Sequence, residues 1–277
     1  MKRLFFIITL TLFHMLPSGS FASDGLTLWI HPYLPATELT KRFAPLATYL
    51  SEKLNRTVSI RVQKSYQSHL DFVGRDKADI AYLGPVSYIR IADQYGPKPL
   101  LAKVEVNGNP FFQGMIITRK DSAINTVGDL AGKSFAFGDP NSTMSHIVPR
   151  GMMINAGVTA KSLERYDFLN SHHNVALAVL GGYFDAGGVK EEVFYAFEKK
   201  GIKIVAQSPP IPEHLFVARS NLPQELIEQI RFHLVNIKKS SINEAILTSI
   251  KPSITNFLPA ADQDYDTLRD IMKSLDI

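Results

Sequence analysis

Hydrophobic and polar positions follow one another along the chain in a pattern that predicts strands alternating with helices. A short apolar run, Leu26–Ile30, is followed between positions 39 and 50 by apolar residues spaced three and four apart, the period of one buried helix face. Val58–Val62 then alternates as a strand does, and Ala78–Tyr82 is the next strand. This order favours a parallel sheet with helices on both faces.

Two β segments, Leu100–Val106 and 111–118, flank a turn signal at Asn107-Gly108, and a second series begins after them. Its predicted strands are 133–137, 165–169, 184–189 and 202–206, and its predicted helices are 146–156, 174–181 and 191–199. A strand at Leu215–Ala218 then leads to amphipathic helices. We expect the second series to be inserted into the first, with crossings near 115–118 and 214–217.

These two series predict an α/β protein of two lobes, each a mainly parallel sheet flanked by helices, with a ligand cleft between them that closes by hinge motion. The predicted division is 23–116 for the first part of lobe 1, 117–213 for lobe 2, and 214–277 for the return to lobe 1 and the C-terminal helices. Ligands of such sheets bind beyond the carboxyl ends of the strands. Residues that follow strands, such as His31–Pro35 and Tyr82–Ser87, are therefore candidates for the cleft.

Residues 1–22 have the pattern of a signal peptide. Two basic residues precede an apolar run, Leu4–Leu16, and small residues at Ser20 and Ala22 frame a cleavage site. That run is shorter than the roughly 20 residues of a membrane span, and there is no cysteine for a disulfide or a thiol-linked lipid anchor. The sequence therefore predicts a periplasmic protein that is monomeric and not embedded in the membrane after cleavage.

The chain is only slightly basic. It has 30 Lys and Arg against 26 Asp and Glu, and two of the cations, Lys2 and Arg3, belong to the predicted signal peptide. No clustered basic stripe is present that could follow a phosphate backbone, so a nucleic-acid partner is not expected. The hydrophobic content of 45% is enough for a substantial core.

The stretch Ser134–Pro149 carries the clearest chemical signal. A strand breaks at Gly138-Asp139-Pro140 and continues as a polar run, Asn141–His146, into a helix. Because Pro149 lacks an N–H, the regular helix is expected to begin near 145–146. Unpaired amides and hydroxyls at a helix N-terminus attract anions. The candidate anion ligands are Ser142, Thr143, Ser145 and His146. An ordinary capped turn without a ligand is the alternative.

Further polar residues follow neighbouring predicted strands. The pair His172-His173 stands at a strand-to-helix junction, where a ring could donate to an oxyanion or merely cap the helix. Lys190 could neutralise an anion, while Glu192 could favour a helix N-terminus or bind a cationic substituent. Adjacent histidines without Cys or carboxylate ligands at metal spacing do not indicate a metal site.

No catalytic motif is found in the sequence. There is no G-x-S-x-G elbow, no H-E-x-x-H, no nucleotide-binding glycine loop and no cysteine. The neighbours Ser145 and His146 do not form a catalytic dyad by adjacency alone. A site of hydroxyls, amides and histidine favours binding over turnover, so neither an enzyme nor a cofactor is expected.

Three stretches carry a resemblance to a known family: "ADIAYLGPVSYI", "GDPNSTMSHIVP" and "SHHNVALAVLGGYFDAGGVKEEVF", in this order. They resemble the phosphate, phosphite and phosphonate solute-binding proteins of ABC transporters, the PhnD-like family, over nearly the whole chain behind the signal peptide. The resemblance implies a two-lobed type II periplasmic binding protein that captures a small oxyanion and delivers it to a membrane permease. A sensory protein that presents its ligand to a membrane histidine kinase and a hydrolase of phosphoesters are the alternatives.

The resemblance also implies roles for individual residues. Ser142, Thr143 and Ser145 would grip the phosphonate oxygens, and His172 matches the histidine of the family's S-H motif. The implied aromatic wall consists of Tyr66, Tyr82 and Phe112, the last in place of a tyrosine. Where the family commonly reads S-T-S-G this chain has S-T-M-S, and Lys190 lies near Glu192, the candidate ligand of an amine. We therefore expect a ligand less cationic than an aminoalkylphosphonate.

Overall fold

The computed structural model describes residues 25–237 and 241–275. The predicted signal peptide, residues 1–22, lies outside the described residues. Within the described residues, no helix is long and apolar enough to cross a membrane.

The described residues contain thirteen strands and nine α-helices, and both are numbered in chain order. The strands are β1 (Leu26–Ile30), β2 (Val58–Val62), β3 (Ile80–Leu83), β4 (Leu100–Val106), β5 (Phe111–Phe112), β6 (Gly114–Arg119), β7 (Ser134–Phe137), β8 (Arg165–Phe168), β9 (Ala186–Lys190), β10 (Ile202–Gln207), β11 (Ile211–Pro212), β12 (Leu215–Ala218) and β13 (Ile254–Leu258). The helices are α1 (Ala36–Leu54), α2 (Tyr66–Gly74), α3 (Pro85–Tyr95), α4 (Val148–Asn155), α5 (His172–Leu180), α6 (Glu191–Gly201), α7 (Gln224–Val235), α8 (Ser241–Ile250) and α9 (Asp266–Ser274).

The strands form two main sheets. The first has the order β13-β4-β12-β3-β1-β2, with β2, β1 and β3 parallel and β12 antiparallel to both of its neighbours. The second has the order β10-β6-β9-β7-β8, with β8, β7 and β9 parallel and β6 reversed. The predicted two-lobed α/β fold is confirmed, with the second series inserted between β4 and β12, and each sheet is mixed because reversed strands join its parallel part.

A short ribbon connects the two sheets. Phe111–Phe112 of β5 pairs antiparallel with Ile211–Pro212 of β11, outside both main sheets. The predicted first crossing, near 115–118, is wrong because those residues lie within β6 and pair along their length with β9 and β10. The chain crosses earlier, in the ribbon. The predicted second crossing, near 214–217, is wrong for the same reason, since Leu215–Ala218 form β12 and pair with β3 and β4. The exact residues at which the lobes divide, given as 116 and 213, stay a prediction.

The cores explain why these elements form. In α1, Leu39, Phe43, Leu46 and Leu50 are completely buried, as their spacing predicts. Burying each such side chain contributes roughly 1.5–3 kcal/mol relative to exposure. A second buried cluster contains side chains of α3 and α9 together with Ile147 and Val148. Apolar residues from both lobes therefore pack against one another in this cluster.

The regular helix after β7, α4, begins at Val148, later than the predicted start near 145–146. A π-helical turn, Thr143–Ile147, precedes α4, in which the amide of Val148 donates to the carbonyl of Thr143. Pro149 has no N–H to donate to the carbonyl of Ser145, which instead accepts from the amide of Gly138 at 3.0 Å. The wide turn therefore replaces the first α-turn. Three elements, α3, β11 and β13, were not predicted.

Candidate ligand-binding site

A cavity of about 700 Å³ lies between the two main sheets. Its walls include residues directly after β1, β3 and β9, at the carboxyl ends of these strands, where ligands of α/β sheets bind. Several helices begin there as well, with Gly84 before α3, His172 opening α5 and Glu191 opening α6. The positive ends of these helix dipoles favour a negatively charged ligand.

Two hydroxyls and two amides form what we call the oxyanion seat, at Ser142, Thr143 and Met144. The Ser142 hydroxyl accepts from the amide of Ser145 at 3.1 Å, and the Thr143 hydroxyl accepts from the amide of Val86 at 3.2 Å. Their own protons are therefore available to a ligand. Among residues 25–237 and 241–275, no group accepts from the amides of Thr143 and Met144. All three seat residues line the cavity.

His172 is fixed in one tautomer beside the seat. The amide of Lys190 donates to His172 Nδ1 at 3.0 Å, so the ring proton is on Nε2, which donates to the Ser142 hydroxyl at 3.3 Å. Burial, assisted by the charges of Lys190 and His214, lowers the pKa of His172 to about 3. The ring is therefore neutral, and with both acceptor positions of Ser142 occupied, that hydroxyl must donate outward.

Aromatic rings form the opposite wall, on the side of the first sheet. The rings of Tyr82 and His214 stack with centroids 5.3 Å apart, and the His31 ring lies edge-on to Tyr82 at 5.5 Å and Tyr66 at 5.1 Å. Burial raises the pKa of the Tyr33, Tyr66 and Tyr82 hydroxyls, which keeps them neutral. This wall supplies apolar area and uncharged donors.

Two of the carboxylates in the cavity already have cationic or ring partners. Glu192 Oε2 lies 3.0 Å from Lys190 Nζ and 2.9 Å from Lys251 Nζ. Burial raises its pKa, but the two ammonium groups outweigh burial and hold the pKa at about 2. Glu213 Oε2 accepts from His214 Nδ1 at 2.7 Å. A third carboxyl, Glu191, has its pKa raised by burial and by its acidic neighbours.

Eight of the ten predicted site residues line this cavity. They are Tyr66, Tyr82, Phe112, Ser142, Thr143, His172, Lys190 and Glu192. Phe112, which was expected in place of a tyrosine, packs on the His214 ring with centroids 5.4 Å apart, so an apolar ring stands where a tyrosine would offer a hydroxyl. Both His172 and His173 line the cavity, but only His172 contacts the seat, since its Nε2 lies 3.3 Å from the Ser142 hydroxyl, while the exposed His173 ring lies edge-on to Phe197 at 4.9 Å.

Ser145 and His146 are not among the residues that line the cavity. The Ser145 hydroxyl is completely buried and donates to the carbonyl of Gly188. His146 is held by the carbonyl of Pro140, 2.8 Å from its Nδ1, and packs edge-on against Phe168. The π-helical turn directs both side chains into the second lobe, away from the cavity.

Several further residues that line the cavity were not predicted as ligand contacts. They are His31, Gly84, Asn141, Glu213, His214 and Lys251. His31 and Gly84 directly follow predicted strands, so position alone was a usable signal. Lys251 follows α8, 59 positions beyond its partner Glu192, and nothing local marks it. Within the described residues, no group of three or more His, Cys, Asp or Glu side chains could hold a metal ion.

Comparisons with known proteins agree with this geometry. A family model described as "ABC transporter, phosphonate, periplasmic substrate-binding protein" matches residues 28–265. The phosphonates-binding periplasmic protein of Escherichia coli is 29% identical over 222 residues, which are 76% of this chain and 65% of that protein. The phosphate-import protein PhnD of Mycolicibacterium smegmatis is 28% identical over 275 residues, covering 90% of this chain and 85% of that one.

A solved structure shares the fold. PhnD1 from Prochlorococcus marinus in complex with methylphosphonate superposes with a TM-score of 0.81 at 20% sequence identity, over 92% of this chain and 99% of that chain. The two mixed sheets and the inserted second series are thus those of type II periplasmic binding proteins. The family match spans most of the chain, and the chain therefore belongs to the family of periplasmic substrate-binding proteins of phosphonate ABC transporters.

Proposed function

We propose that this protein binds a small oxyanion of the phosphate, phosphite or phosphonate type in the cavity and delivers it to an ABC transporter permease. The observation that carries the proposal is the oxyanion seat, where donors converge at a helix start. Both hydroxyls have protein donors on their lone pairs, so each is oriented to donate. Charge-assisted hydrogen bonds from such fixed donors are the strong ones.

The names of the relatives support the ligand class. One is called a phosphonates-binding protein, a second a phosphate-import protein, and the solved neighbour holds methylphosphonate. Because the aligned part covers only 65% of the Escherichia coli protein, ligand and partner are proposed for this chain on its own residues.

The ligand is less cationic than an aminoalkylphosphonate. An ammonium group binds best to an unpaired carboxylate, but Glu192 is already shared by Lys190 and Lys251. Glu213 is likewise bonded to His214, and burial raises the pKa of the third cavity carboxyl, Glu191, which disfavours its charged form. Bringing a further cation next to two lysines is repulsive, so a neutral or anionic substituent suits this end of the cavity better.

We further propose that the protein acts in the periplasm as a monomer after removal of residues 1–22, without turnover of its ligand. The site has oriented donors but no group placed as a nucleophile, since the Ser145 hydroxyl is bonded to a carbonyl inside the second lobe. Incubating the purified protein with a phosphoester should release no phosphate, and release above background would contradict the binding role.

Calorimetric titration of the mature protein with methylphosphonate, phosphate, phosphite, sulfate and 2-aminoethylphosphonate tests the ligand class. We expect a phosphorus oxyanion without an amine to bind most tightly. Tightest binding of the aminophosphonate would overturn the charge argument, and no binding of any phosphorus oxyanion would overturn the function. Loss of uptake of the preferred ligand on deletion of the gene would support delivery to a permease, and unchanged uptake would oppose it.

Gly84→Ala tests where the ligand lies. A β-carbon at Gly84 would lie 3.7 Å from His31 Cε1 and 3.8 Å from both His214 Nε2 and Thr143 Oγ1, which is ordinary contact distance. The variant should therefore fold, while its methyl group occupies space that the ligand needs, and we expect affinity to fall at least severalfold. Gly128→Ala is the matched control, because its β-carbon would meet only Thr126 Oγ1, at 3.7 Å. Equal affinities for both variants would place the ligand elsewhere.

A further inference from the structure

His31 is a buried polar side chain that lines the cavity without a protein partner. It directly follows β1 and is 2% exposed. Within the described part of the chain, neither of its ring nitrogens has a hydrogen-bond partner. A buried polar atom left unpaired destabilises the folded protein, and a bound ligand that pairs with it removes that penalty.

The ring lies at the oxyanion seat. His31 Cε1, His214 Nε2 and Thr143 Oγ1 all lie within 3.8 Å of the point that a β-carbon of Gly84 would occupy. The His31 and His214 rings are also close, with centroids 5.1 Å apart. A ligand oxygen bound by the Thr143 hydroxyl therefore lies beside imidazole groups from the opposite lobe.

The surroundings keep the His31 ring neutral. Burial is the largest cause that lowers its pKa well below 6.5, and the charge of Lys190 acts in the same direction. The titratable groups that face it from the elements around it are Tyr33, Tyr66, His69, Tyr82, His172, Lys190 and His214. A neutral imidazole offers one donor and one acceptor, whereas the hydroxyls and amides of the seat are oriented to donate.

We propose that His31 accepts a hydrogen bond from the acidic proton of a monoprotonated phosphorus oxyanion and thereby selects such ligands over sulfur oxyanions. The second proton of a phosphate monoester leaves at a pH of roughly 6, so P–OH groups occur close to neutrality. A sulfonate or sulfate has no proton to donate there, so it can pair only with the ring N–H and leaves the acceptor nitrogen of His31 unpaired. This inference rests on the proposed oxyanion function and adds the basis of its specificity.

The test is a calorimetric comparison of methylphosphonate with methanesulfonate, which share a methyl group and three oxygens. Wild-type protein should bind methylphosphonate at least about tenfold more tightly, the size of one charge-assisted hydrogen bond. His31→Leu should weaken methylphosphonate binding about tenfold without weakening methanesulfonate binding. His69→Leu is the matched control, because His69 is 1% exposed and lies 6.4 Å from the His31 ring but does not line the cavity.

Proton uptake gives an independent readout. Titrations in buffers of different ionisation enthalpy, at a pH above the second pKa of the ligand, should show that wild type takes up a proton with methylphosphonate. His31→Asn, which keeps a polar side chain, should lose part of this uptake and provides a second variant if His31→Leu folds poorly. Proton release by wild type, or equal weakening of both ligands by His31→Leu, would overturn the inference.

The results distinguish failure of the proposed role of His31 from failure of the proposed oxyanion-binding function. If wild type binds methylphosphonate and methanesulfonate equally, the oxyanion function stands and the role of His31 is wrong. If wild type binds neither, nor phosphate or phosphite, the proposed function itself fails.

Discussion

Replacing Thr143 by alanine is the sharpest single test of the oxyanion seat. Its hydroxyl accepts from the amide of Val86 in α3 at 3.2 Å, which leaves its proton for the ligand and joins the two lobes across the cleft. The substitution therefore removes a donor to the ligand and leaves the Val86 amide unpaired in the closed cleft.

The expected loss follows from these contacts. A hydrogen bond to a charged group contributes roughly 1.5–3 kcal/mol, which corresponds to a loss in affinity of about ten- to 150-fold. The unpaired Val86 amide acts in the same direction because it disfavours closure. Calorimetric titration with the preferred phosphorus oxyanion measures the change directly. Thr143→Ser keeps the hydroxyl and should recover most of the affinity.

Ser145→Ala provides the contrasting control two positions along the chain. Its hydroxyl is buried and bonded to the carbonyl of Gly188, so the substitution should lower the free energy of unfolding by about 1–3 kcal/mol with little effect on affinity. If Ser145→Ala weakened binding as much as Thr143→Ala, the assignment of the seat to Ser142, Thr143 and Met144 would be refuted.

Two further predictions concern charge. Burial lowers the pKa of His69 and of His146 to about 4 from the ordinary 6.5, so the unfolded chain binds protons that the folded protein excludes, and stability is lost as pH falls from 6.5 toward 4. Each ring should reduce the free energy of unfolding by about 1.4 kcal/mol per pH unit in that window. Denaturant titrations at several pH values measure this free energy, and its dependence on pH should be less steep in His69→Leu than in wild type. A free energy of unfolding that does not change with pH in wild type would contradict the prediction. Lys251→Met removes the ion pair with Glu192 that spans the cleft. The substitution should weaken ligand binding by at most about fivefold, and the effect should be smaller at high salt, which screens the pair. A loss of affinity as large as that of Thr143→Ala would mean that Lys251 contacts the ligand.

Much of the fold could be predicted because it depends on local pattern. The three-four spacing in α1 and the alternation in β2 depend on neighbours in the sequence, and both elements lie where predicted. Gly157, predicted to follow the helix after the seat, has the positive φ of 76° that suits glycine. The predicted start of that helix was wrong by about two residues. The Ser145 carbonyl accepts a hydrogen bond from the amide of Gly138, and the spacing of residues along the chain does not reveal this contact.

Some site residues could be predicted for the same reason. Ser142, Thr143, Lys190 and Tyr82 follow or end strands of parallel sheets, and the carboxyl ends of such strands converge on one side. His31 shares this position and was expected near the cleft, but it was not predicted as a ligand contact, since a single histidine after a strand has no local feature that distinguishes a ligand contact from a loop residue.

Most of the strand and helix series and the hydroxyl-rich start after β7 can be predicted from the sequence, because each depends on residues only a few positions apart. The order of the elements also indicates the insertion of one series in the other, although the insertion itself rests on the pairing of β12 with β3 and β4, which lie far away in the sequence. The Ser145 and His146 side chains point away from the cavity, Val86 contacts Thr143, and Lys251 contacts Glu192 across the cleft, and none of these facts could be read from the sequence. These contacts join residues 57 and 59 positions apart, and such pairs are set by how two packed sheets face each other, which no local pattern encodes.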